Sequence, residues 1–360
     1  MSIPHVDVKA QYAPLIPELT AAFAGVLDSA RFIFGPEVQS FEEEAAAYLG
    51  VKRTLGVANG TDALVLVLDA MEIGPGDEVI CPSFTFYATA EAIARRGATP
   101  AFVDIDPVTL NIDPALVAER ITPRTKAIMP VHLFGRPAAV DEIAQHGLPV
   151  IEDAAQAFGA PGVATRGVVS TYSFYPTKNL FCLGDGGLVA VNDEQLAERI
   201  QMLRFHGSKA KKTFDFVGYN SRLDAVQAAM LRIFLPHLDE WNRLRREAAA
   251  RYVELGVGEF AELPEDEAGH VYHMFCIRSR ERDRLSAALA EAEIGHAVYY
   301  QPPLHLQPAL RYLGYSEGDL PETERASAEN LCLPLWAGIS EEQQQRVVSV
   351  LREASTLVST

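Results

Sequence analysis

Cysteines are few in this sequence, and they are far apart. Of 360 residues only four are cysteine, with no Cys-x-x-Cys pair: Cys81, Cys182, Cys276 and Cys332. This spacing argues against a zinc ribbon, a redox dithiol or a disulfide framework. We therefore expect four buried free thiols and no metal site. A nucleophilic role for Cys182 is the alternative, but the sequence offers no evident paired base.

Long apolar runs and excess positive charge are also missing. No apolar run reaches the ~18 residues of a membrane helix, and the N-terminus lacks a basic segment followed by an apolar core. We therefore expect a cytoplasmic protein without a signal peptide. Lys and Arg number 31 against 48 Asp and Glu, and the formal net charge of −17 argues against non-specific nucleic-acid binding.

From about residue 54 to residue 191 the sequence alternates between two patterns. Short apolar runs predict strands at Thr54–Ala58, Glu78–Cys81, Ala101–Val103, Ala127–Val131, Val150–Ile151, Tyr172–Phe174 and Leu188–Val191. Helical patterns separate most of them, at Thr61–Met71, Thr85–Arg96, Pro114–Arg120 and Ala138–His146. Such alternation predicts an α/β fold with a mostly parallel sheet between helices. Ligands in these folds bind at the carboxyl ends of the strands.

The remaining segments predict a second, smaller α/β domain. A long helical pattern from Leu223 to Leu255, interrupted by Pro236, connects the two parts, whereas the amphipathic helix predicted at Pro36–Leu49 belongs to the first part. We predict a large domain over residues 1–235 and a small one over 236–360. The small domain is expected to contain strands at Tyr272–Ile277 and Ala297–Tyr300 and helices at Arg282–Ala292 and Ser340–Leu357.

Lys178 and Asp153 each follow an apolar run. Aromatic and aliphatic neighbours, including Phe174 and Leu180, make a solvated position for Lys178 unfavourable. Burial would lower the pKa of its amine, as a Schiff-base lysine requires. An aspartate at a neighbouring strand end could hold a pyridine nitrogen protonated, so the pair suits pyridoxal phosphate (PLP) chemistry. A surface lysine and a helix-capping carboxylate are the alternatives.

A third motif could bind a phosphate. Asn59-Gly-Thr-Asp62 follows an apolar run and begins a helix. Gly60 permits close backbone approach, Thr61 offers a hydroxyl, and the helix N-terminus offers unpaired N–H groups. Taken alone, the motif is more typical of an ordinary helix N-cap than of a phosphate site.

These motifs, in this order, resemble the DegT/DnrJ/EryC1/StrS family of sugar aminotransferases, which are PLP enzymes of the aspartate-aminotransferase fold (fold type I). The resemblance covers almost the whole chain. It is carried by Ile3–Tyr12, Phe34–Val38, Asn59–Ala63, Gly74–Phe86, Phe102–Asp106, Glu152–Gln156, Ser173–Leu180, Gly184–Gly187, Gly218–Asp224 and Tyr300–Pro308.

The resemblance implies a role for each matching cofactor position. Lys178 matches the lysine that forms the Schiff base with PLP, and Asp153 the partner of the ring nitrogen. Gln156 matches the residue near the ring hydroxyl, and Phe86 the aromatic ring that stacks on the cofactor. The phosphate-binding positions correspond to Gly60, Thr61, Asp62 and Ser173.

The resemblance also implies a partner subunit and a substrate pocket. Asn220 matches a residue that reaches the phosphate from the neighbouring subunit, which implies a homodimer with shared active sites. Arg222, Tyr300 and His305 fall in motifs near the sugar-nucleotide pocket. Core packing is the alternative for Tyr300, and a structural ion pair is the alternative for Arg222. Arg166 lies in a loop where the family usually carries little charge, and its direction is left open.

The function implied is transfer of an amino group, from L-glutamate, to a nucleotide-linked keto-sugar in amino-sugar biosynthesis. The segment Asn220–Asp224 resembles that of family members that aminate C3, which implies a 3-keto sugar linked to dTDP or UDP. A 4-keto sugar or a cyclitol is the alternative acceptor. A sugar dehydratase of the same fold would carry histidine at position 178, and a non-catalytic regulator would not need the intact lysine, aspartate and phosphate motif.

Overall fold

The computed structural model describes residues 2–265 and 267–356, and its centre is a sheet built from two ladders. The strands are β1 (Arg53–Val57), β2 (Glu78–Pro82), β3 (Thr99–Val103), β4 (Thr125–Ile128), β5 (Ile151–Asp153), β6 (Val169–Ser173) and β7 (Gly187–Val191). One ladder has the order β3-β2-β4 and the other β5-β6-β7-β1. Two parallel bridges, Ile128–Val150 and Val131–Asp153, connect them.

The central sheet is mostly parallel, as predicted. Strands β2, β3 and β4 pair in parallel, as do β5 and β6, whereas β7 runs antiparallel to both β6 and β1. The carboxyl ends of the parallel strands therefore lie at one edge, which brings Asp153 and the segments after β2 and β6 together.

Helices cover the sheet and build the rest of the chain. They are α1 (Val8–Tyr12), α2 (Ile16–Ser29), α3 (Pro36–Leu49), α4 (Gly60–Ala70), α5 (Ala88–Arg95), α6 (Pro114–Arg120), α7 (Val140–Ala144), α8 (Glu194–Leu203), α9 (Ala225–Phe234), α10 (Leu238–Glu254), α11 (Arg282–Glu291), α12 (Pro321–Glu329) and α13 (Glu341–Thr356). A second, two-stranded sheet pairs β8 (Phe275–Arg278) with β9 (Asn330–Leu333) antiparallel.

Helix α4 shows why the apolar pattern folds as it does. Asn59 begins it as N-cap, since its side-chain oxygen accepts a hydrogen bond from the Asp62 N–H at 2.8 Å. Every residue from Ala63 to Leu68 is buried, because α4 packs against β6 and β7 on one side and against α5 and α8 on others. A helix apolar all round is thus fixed with its N-terminus at the carboxyl edge of the sheet.

The long helical pattern after residue 223 is confirmed as two helices. A 3-10 turn, Leu235–His237, separates α9 from α10, because Pro236 has no N–H to continue the helical hydrogen bonds. Trp241 packs in the core beneath the central sheet, whereas Ala248 and Tyr252 pack in the C-terminal core. Helix α10 therefore connects two hydrophobic cores, while the division at residue 235 stays a prediction.

Several sequence expectations need correction. Among the residues that the structure describes, Ala297–Tyr300 pairs through one isolated bridge, between Ala297 and Cys332, and does not form a strand. The Tyr299 N–H donates instead to the Asn330 side chain at 2.7 Å, and prolines follow at 302 and 303. The predicted strand at Tyr272–Ile277 begins later, at Phe275. Helices α1, α2, α8 and α12 and strand β9 were not predicted.

Two expectations about composition can also be compared with the fold. The four cysteines are buried free thiols, as predicted. Within the described residues, no helix combines the length and the apolar character needed to cross a membrane.

Candidate active site

Asp153 ends β5 and is buried at the carboxyl edge of the sheet. Its Oδ2 accepts a hydrogen bond from the Thr89 hydroxyl at 2.8 Å, and its Oδ1 accepts one from the Ala155 N–H at 3.3 Å. Burial raises the pKa of the Asp153 carboxyl, although these hydrogen bonds and the nearby charge of Lys178 oppose the rise. The hydrogen bonds and Lys178 therefore do not fully offset the cost of burying the Asp153 carboxylate, and a further positive charge beside it would stabilise its ionised form.

Lys178 follows β6 after a short turn, in which its N–H donates to the Tyr175 carbonyl at 2.8 Å. Burial lowers the pKa of its amine to about 8, and attraction to Asp153 opposes the fall. The next residue, Asn179, is buried and donates to the Asn242 side chain at 2.7 Å and to the Val271 carbonyl at 2.9 Å. The turn is thus fixed, and its lysine is close to the state needed for a nucleophilic amine.

Backbone packing at the start of α4 depends on two glycines. A Cβ on Gly60 would lie 2.8 Å from the Ser173 Cβ, and a Cβ on Gly187 would lie 2.5 Å from the Asn59 carbonyl. The turn before α4 therefore contacts the end of β6 and the start of β7 directly. The N–H groups of Gly60 and Thr61 lie in the first helical turn, where amides have no intrahelical partner. Together with the Ser173 hydroxyl they could bind a phosphate.

Aromatic rings lie on the other side of this edge. Phe86, which follows β2, is 57 % exposed, and its ring centre is 6.1 Å from that of Tyr300. The Tyr300 hydroxyl accepts a hydrogen bond from the Gln156 amide at 2.9 Å, and the Gln156 carbonyl accepts one from the Phe134 N–H at 2.7 Å. Tyr300, Gln156 and Phe86 therefore form one connected group, although they come from distant parts of the sequence.

Glu152 lies beside Asp153 on β5, but its side chain makes different contacts. It accepts hydrogen bonds from the Ser170 hydroxyl and the Gly167 N–H, both at 2.9 Å, and contacts His132 Nε2 at 3.0 Å. The Ala138 N–H donates to His132 Nδ1, so Nε2 carries the proton and donates to Glu152. Burial would raise the pKa of the Glu152 carboxyl, but these hydrogen bonds outweigh it and lower the pKa.

Asn220 and Arg222 lie on a segment next to the start of α4. Between them, Ser221 is buried, and its hydroxyl accepts a hydrogen bond from the Ala58 N–H at 3.2 Å. Asn220 itself is exposed. The Arg222 guanidinium lies 6.0 Å from the centre of the Phe205 ring. The segment therefore lies beside the turn at Asn59–Asp62. The side chains of Asn220 and Arg222 are not among the described contacts of Tyr300, Gln156 and Phe86.

His305 is enclosed by protein. Its Nδ1 contacts the Ser83 hydroxyl at 2.8 Å, its backbone N–H donates to the same oxygen at 3.0 Å, and its Nε2 contacts Glu324 at 3.1 Å. The ring is 1 % exposed, so both of its nitrogens are used inside the chain.

The two residues left open by the sequence lie outside this group. Arg166 pairs with Asp141 at 3.5 Å and lines a cleft of about 710 Å³, to which no predicted site residue contributes. Cys182 is buried, and burial raises the pKa of its thiol well above the ordinary value, which is unfavourable for a nucleophile.

Sequence reasoning missed Thr89, the hydrogen-bond donor to Asp153, and the contact of His305 with Ser83 and Glu324. Thr89 lies in the predicted helix after β2, so its place near the carboxyl edge could have been inferred. The contact between Ser83 and His305 joins residues 222 positions apart, and no sequence signal announces it.

Comparison with known proteins agrees with this geometry. The model of the DegT/DnrJ/EryC1/StrS aminotransferase family matches residues 15–352. A "Pleiotropic regulatory protein" of Geobacillus stearothermophilus is 50 % identical over 366 residues, with 98 % of each chain covered. A UDP-N-acetyl-3-dehydro-alpha-D-glucosamine 3-aminotransferase of Acidithiobacillus ferrooxidans is 45 % identical and covers 98 % of this chain and 97 % of its own.

A solved structure agrees as well. Streptomyces venezuelae DesV, in complex with a ketimine intermediate, superposes with a TM-score of 0.94 at 43 % identity, over 98 % of each chain. The resemblance inferred from the sequence is thereby confirmed, as is the α/β fold with its sheet between helices. This chain belongs to the DegT/DnrJ/EryC1/StrS aminotransferase family.

Proposed function

We propose that this protein is a PLP-dependent aminotransferase that transfers an amino group to the keto group of a nucleotide-linked sugar. One observation carries the proposal. Lys178, on the turn after β6, and the buried Asp153, at the end of β5, lie at one edge of the sheet, where burial lowers the pKa of the amine to about 8 and raises the pKa of the carboxyl. Such a pair suits an aldehyde-bearing cofactor whose ring nitrogen can carry a positive charge.

The residues fit PLP at three places. Gly60 packs so closely against Ser173 that a Cβ at position 60 would lie 2.8 Å from the Ser173 Cβ. The Gly60 N–H and the Ser173 hydroxyl are therefore close together and suit the phosphate group. Asp153 would receive the pyridine N–H, which answers its need for positive charge. Phe86 presents an exposed ring that could stack on the pyridine, as the sequence resemblance implies. Thr61, Asp62 and Gln156 complete the proposed cofactor contacts.

The chain's own residues would then divide the work of transamination. When bound, PLP supplies the electron sink that stabilises negative charge on the donor's α-carbon. Asp153 keeps the ring nitrogen protonated. The Lys178 amine would hold the cofactor, and its Nζ would accept the proton from the donor α-carbon as a general base.

For the substrate we propose a 3-keto sugar linked to UDP or dTDP, with L-glutamate as amino donor. The Acidithiobacillus ferrooxidans relative, named for a UDP-linked 3-dehydro sugar, supports this choice at 45 % identity. Arg222 and Tyr300 are the proposed substrate contacts, Tyr300 because its ring lies beside Phe86. A 4-keto sugar or a cyclitol is the alternative acceptor. The sugar-dehydratase alternative is disfavoured because position 178 is lysine.

A product assay tests the function. Purified protein with PLP and glutamate is offered UDP- and dTDP-linked 3-keto and 4-keto sugars, and the products are identified by mass spectrometry and NMR. We expect an amino sugar from a 3-keto substrate and none after Lys178→Ala. Amination at C4 alone would overturn the choice of position, and no amination of any sugar would overturn the function.

We further propose a homodimer in which Asn220 reaches the partner's cofactor phosphate. Asn220 is exposed, and exposed apolar side chains lie on connected segments: Phe23, Leu27, Phe32, Ile33, Phe216 and Val217. Ile33 bridges to Asp224, which brings part of this apolar surface next to the Asn220 segment. A partner copy would cover such a surface.

Mixed dimers test the shared site. Lys178→Ala and Asn220→Ala variants are unfolded together, refolded together and assayed. If Asn220 acts across the dimer, a heterodimer contains one intact site, and activity should return to about a quarter of wild type, as random pairing of two chains predicts. No recovery, or a stable active monomer in sedimentation, would contradict the proposal. A cytoplasmic location stays a prediction.

A non-catalytic regulator is the second candidate, because the Geobacillus stearothermophilus relative is called a pleiotropic regulatory protein. Turnover discriminates the two. A regulator could bind PLP yet would not aminate any sugar, whereas we expect multiple turnovers per chain.

A further inference from the structure

The segment that carries Phe86 is held by a series of buried hydrogen bonds to residues in the C-terminal part of the protein. Ser83, which directly follows β2 and lies three positions before Phe86, contacts His305 through its hydroxyl. The Ser83 carbonyl also accepts a hydrogen bond from the Leu304 N–H at 3.0 Å. Three hydrogen bonds therefore join residues 304–305 to Ser83.

The direction of these hydrogen bonds can be assigned from Glu324. Its Oε1 accepts hydrogen bonds from the backbone N–H groups of Gly318 and Leu320, at 2.8 and 3.3 Å, as expected of an ionised carboxylate. An ionised carboxylate can only accept, so His305 Nε2 carries the proton and donates to Glu324. Nδ1 is then an acceptor, and the Ser83 hydroxyl donates to it. The hydrogen bonds thus run from the Ser83 hydroxyl through the His305 ring to the Glu324 carboxylate, and both ring nitrogens have a partner.

Beyond Ser83, the same segment bears two aromatic residues and a polar contact to the site. Phe84 is fully buried and meets Phe134 and Tyr300 edge to face, both at 6.2 Å between ring centres. The Thr85 hydroxyl lies 3.3 Å from that of Thr89, which bonds Asp153. Any movement of Ser83 would therefore be transmitted to the ring of Phe86 and to its neighbours.

We propose that His305 is a positioning residue that fixes the Phe86 segment through Ser83, and that it does not contact the sugar substrate. The proposal replaces the substrate role that the sequence resemblance implies for His305, because a ring with both nitrogens used and 1 % exposure has no group left for a ligand. It rests on the proposed function in one respect, the stacking of Phe86 on PLP. Glu324 sets which His305 nitrogen faces Ser83.

Two substitutions at position 305 separate the contact of His305 with Ser83 from its contact with Glu324. Asparagine can place its carbonyl near the Nδ1 position and accept from Ser83, whereas glutamine reaches toward Glu324 and loses Ser83. Ser83→Ala removes the same contact from the other side. Glu322→Gln is the matched control, since Glu322 lies two residues from Glu324 on α12 but pairs with Arg325 at the surface.

The readouts are the PLP dissociation constant, the visible circular dichroism of bound PLP, and KM for the nucleotide sugar. For Ser83→Ala and His305→Gln we expect the PLP dissociation constant to rise about five- to tenfold, the size expected for loss of one buried hydrogen bond, and the dichroism to weaken. His305→Asn and Glu322→Gln should stay within about twofold of wild type in both.

The opposite pattern would overturn the proposal. If all three variants at positions 83 and 305 kept the PLP constant and dichroism but raised KM for the sugar, His305 would be a substrate contact. If His305→Asn were as damaged as His305→Gln, the contact to Ser83 would not be the one that matters. Unfolding of each apo variant is measured in parallel, and Ser83→Ala, the smaller change, decides the outcome if a His305 variant does not fold. Wild-type protein that showed no PLP signal would instead refute the proposed function itself.

Discussion

The two carboxylates at the end of β5, Glu152 and Asp153, are both buried, yet their surroundings shift their pKa values in opposite directions. Successive side chains on a strand point to opposite faces of the sheet. Glu152 meets donors from His132, Ser170 and Gly167, which lower its pKa. Asp153 meets fewer donors, so burial raises its pKa. Hydrogen bonds within the protein stabilise the ionised form of Glu152, whereas the ionised form of Asp153 would be stabilised by a further cation beside it.

This comparison teaches where stability and function separate. A carboxylate whose hydrogen-bonding capacity is filled by its own chain contributes to folding. One held in a partly satisfied state costs folding free energy and is available to a ligand. The predictions below test this division, from the largest expected effect to the smallest.

Asp153→Asn should produce the largest effect. Amide cannot supply the charge that keeps a pyridine nitrogen protonated, so kcat should fall about a hundred- to a thousandfold, as for loss of one preorganised electrostatic group. The free energy of unfolding of the apo protein at pH 7 should not fall, because a buried, poorly compensated charge has been removed. Steady-state kinetics and urea unfolding measure the two. An unchanged kcat, or a large loss of stability, would mean that Asp153, like Glu152, serves the stability of the fold and not catalysis.

Glu152→Gln should show the reverse. Whichever way the amide is turned, its NH₂ group faces a donor, either His132 Nε2 or the Ser170 and Gly167 side. We expect a loss of about 2–3 kcal/mol in the free energy of unfolding, typical of a buried unsatisfied donor, with kcat per folded molecule changed by less than about threefold.

The pH dependence of stability sharpens the same contrast. Because the folded pKa of Glu152 is lowered from its ordinary value of 4.5, its contribution to stability is present above that value. It is lost as pH falls through the folded pKa. Glu152→Gln should therefore destabilise most above pH 4.5 and least in acid, in urea unfolding followed across pH. Equal destabilisation at all pH values would mean that the charge of Glu152 is not involved.

Binding of PLP to the apo protein should depend on pH through Lys178. The neutral amine is the nucleophile, so the association rate should rise about tenfold per pH unit below the pKa and level off above about 8. Asp153 attracts the protonated amine, so Asp153→Asn should move the midpoint to lower pH. Stopped-flow absorbance measures both. A midpoint near 10, or one that moves upward in the variant, would contradict the interaction.

Gly60→Ala should give the smallest effect. Its Cβ would come within 2.8 Å of the Ser173 Cβ, so the α4 turn and β6 must separate slightly. We expect PLP affinity to fall about three- to tenfold, corresponding to a cost of roughly 1 kcal/mol. Gly74→Ala is the control, since its Cβ would meet no atom nearer than 3.6 Å. Fluorescence titration with PLP distinguishes them, and equal affinities would show that this contact does not limit the phosphate site.

Much of the architecture could be predicted because it depends on local patterns. The alternation of apolar runs and helical patterns predicted the seven central strands, and a polar residue that follows one of the parallel strands lies at the carboxyl edge. The positions of Asp153 and Lys178 near that edge were predictable for that reason. Pro236 likewise marked the break between α9 and α10.

What could not be predicted depends on contacts between distant segments. Nothing in the residues around Ser83 indicates His305, and nothing around Glu152 identifies His132 as its donor. The resemblance placed His305 in a motif but could not show that its ring is enclosed. The misplaced strand at Ala297–Tyr300 has the same origin, because the Tyr299 N–H is taken by Asn330, a residue 31 positions away.

The central claim is that Lys178 is the amine that carries PLP in this chain. It is tested most directly by adding PLP to the purified protein, reducing with borohydride, digesting, and locating the modified peptide by mass spectrometry. We predict one pyridoxyl group per chain, on Lys178, and none on the Lys178→Ala variant. A label on another lysine, or a wild-type chain that takes up no label, would contradict the account.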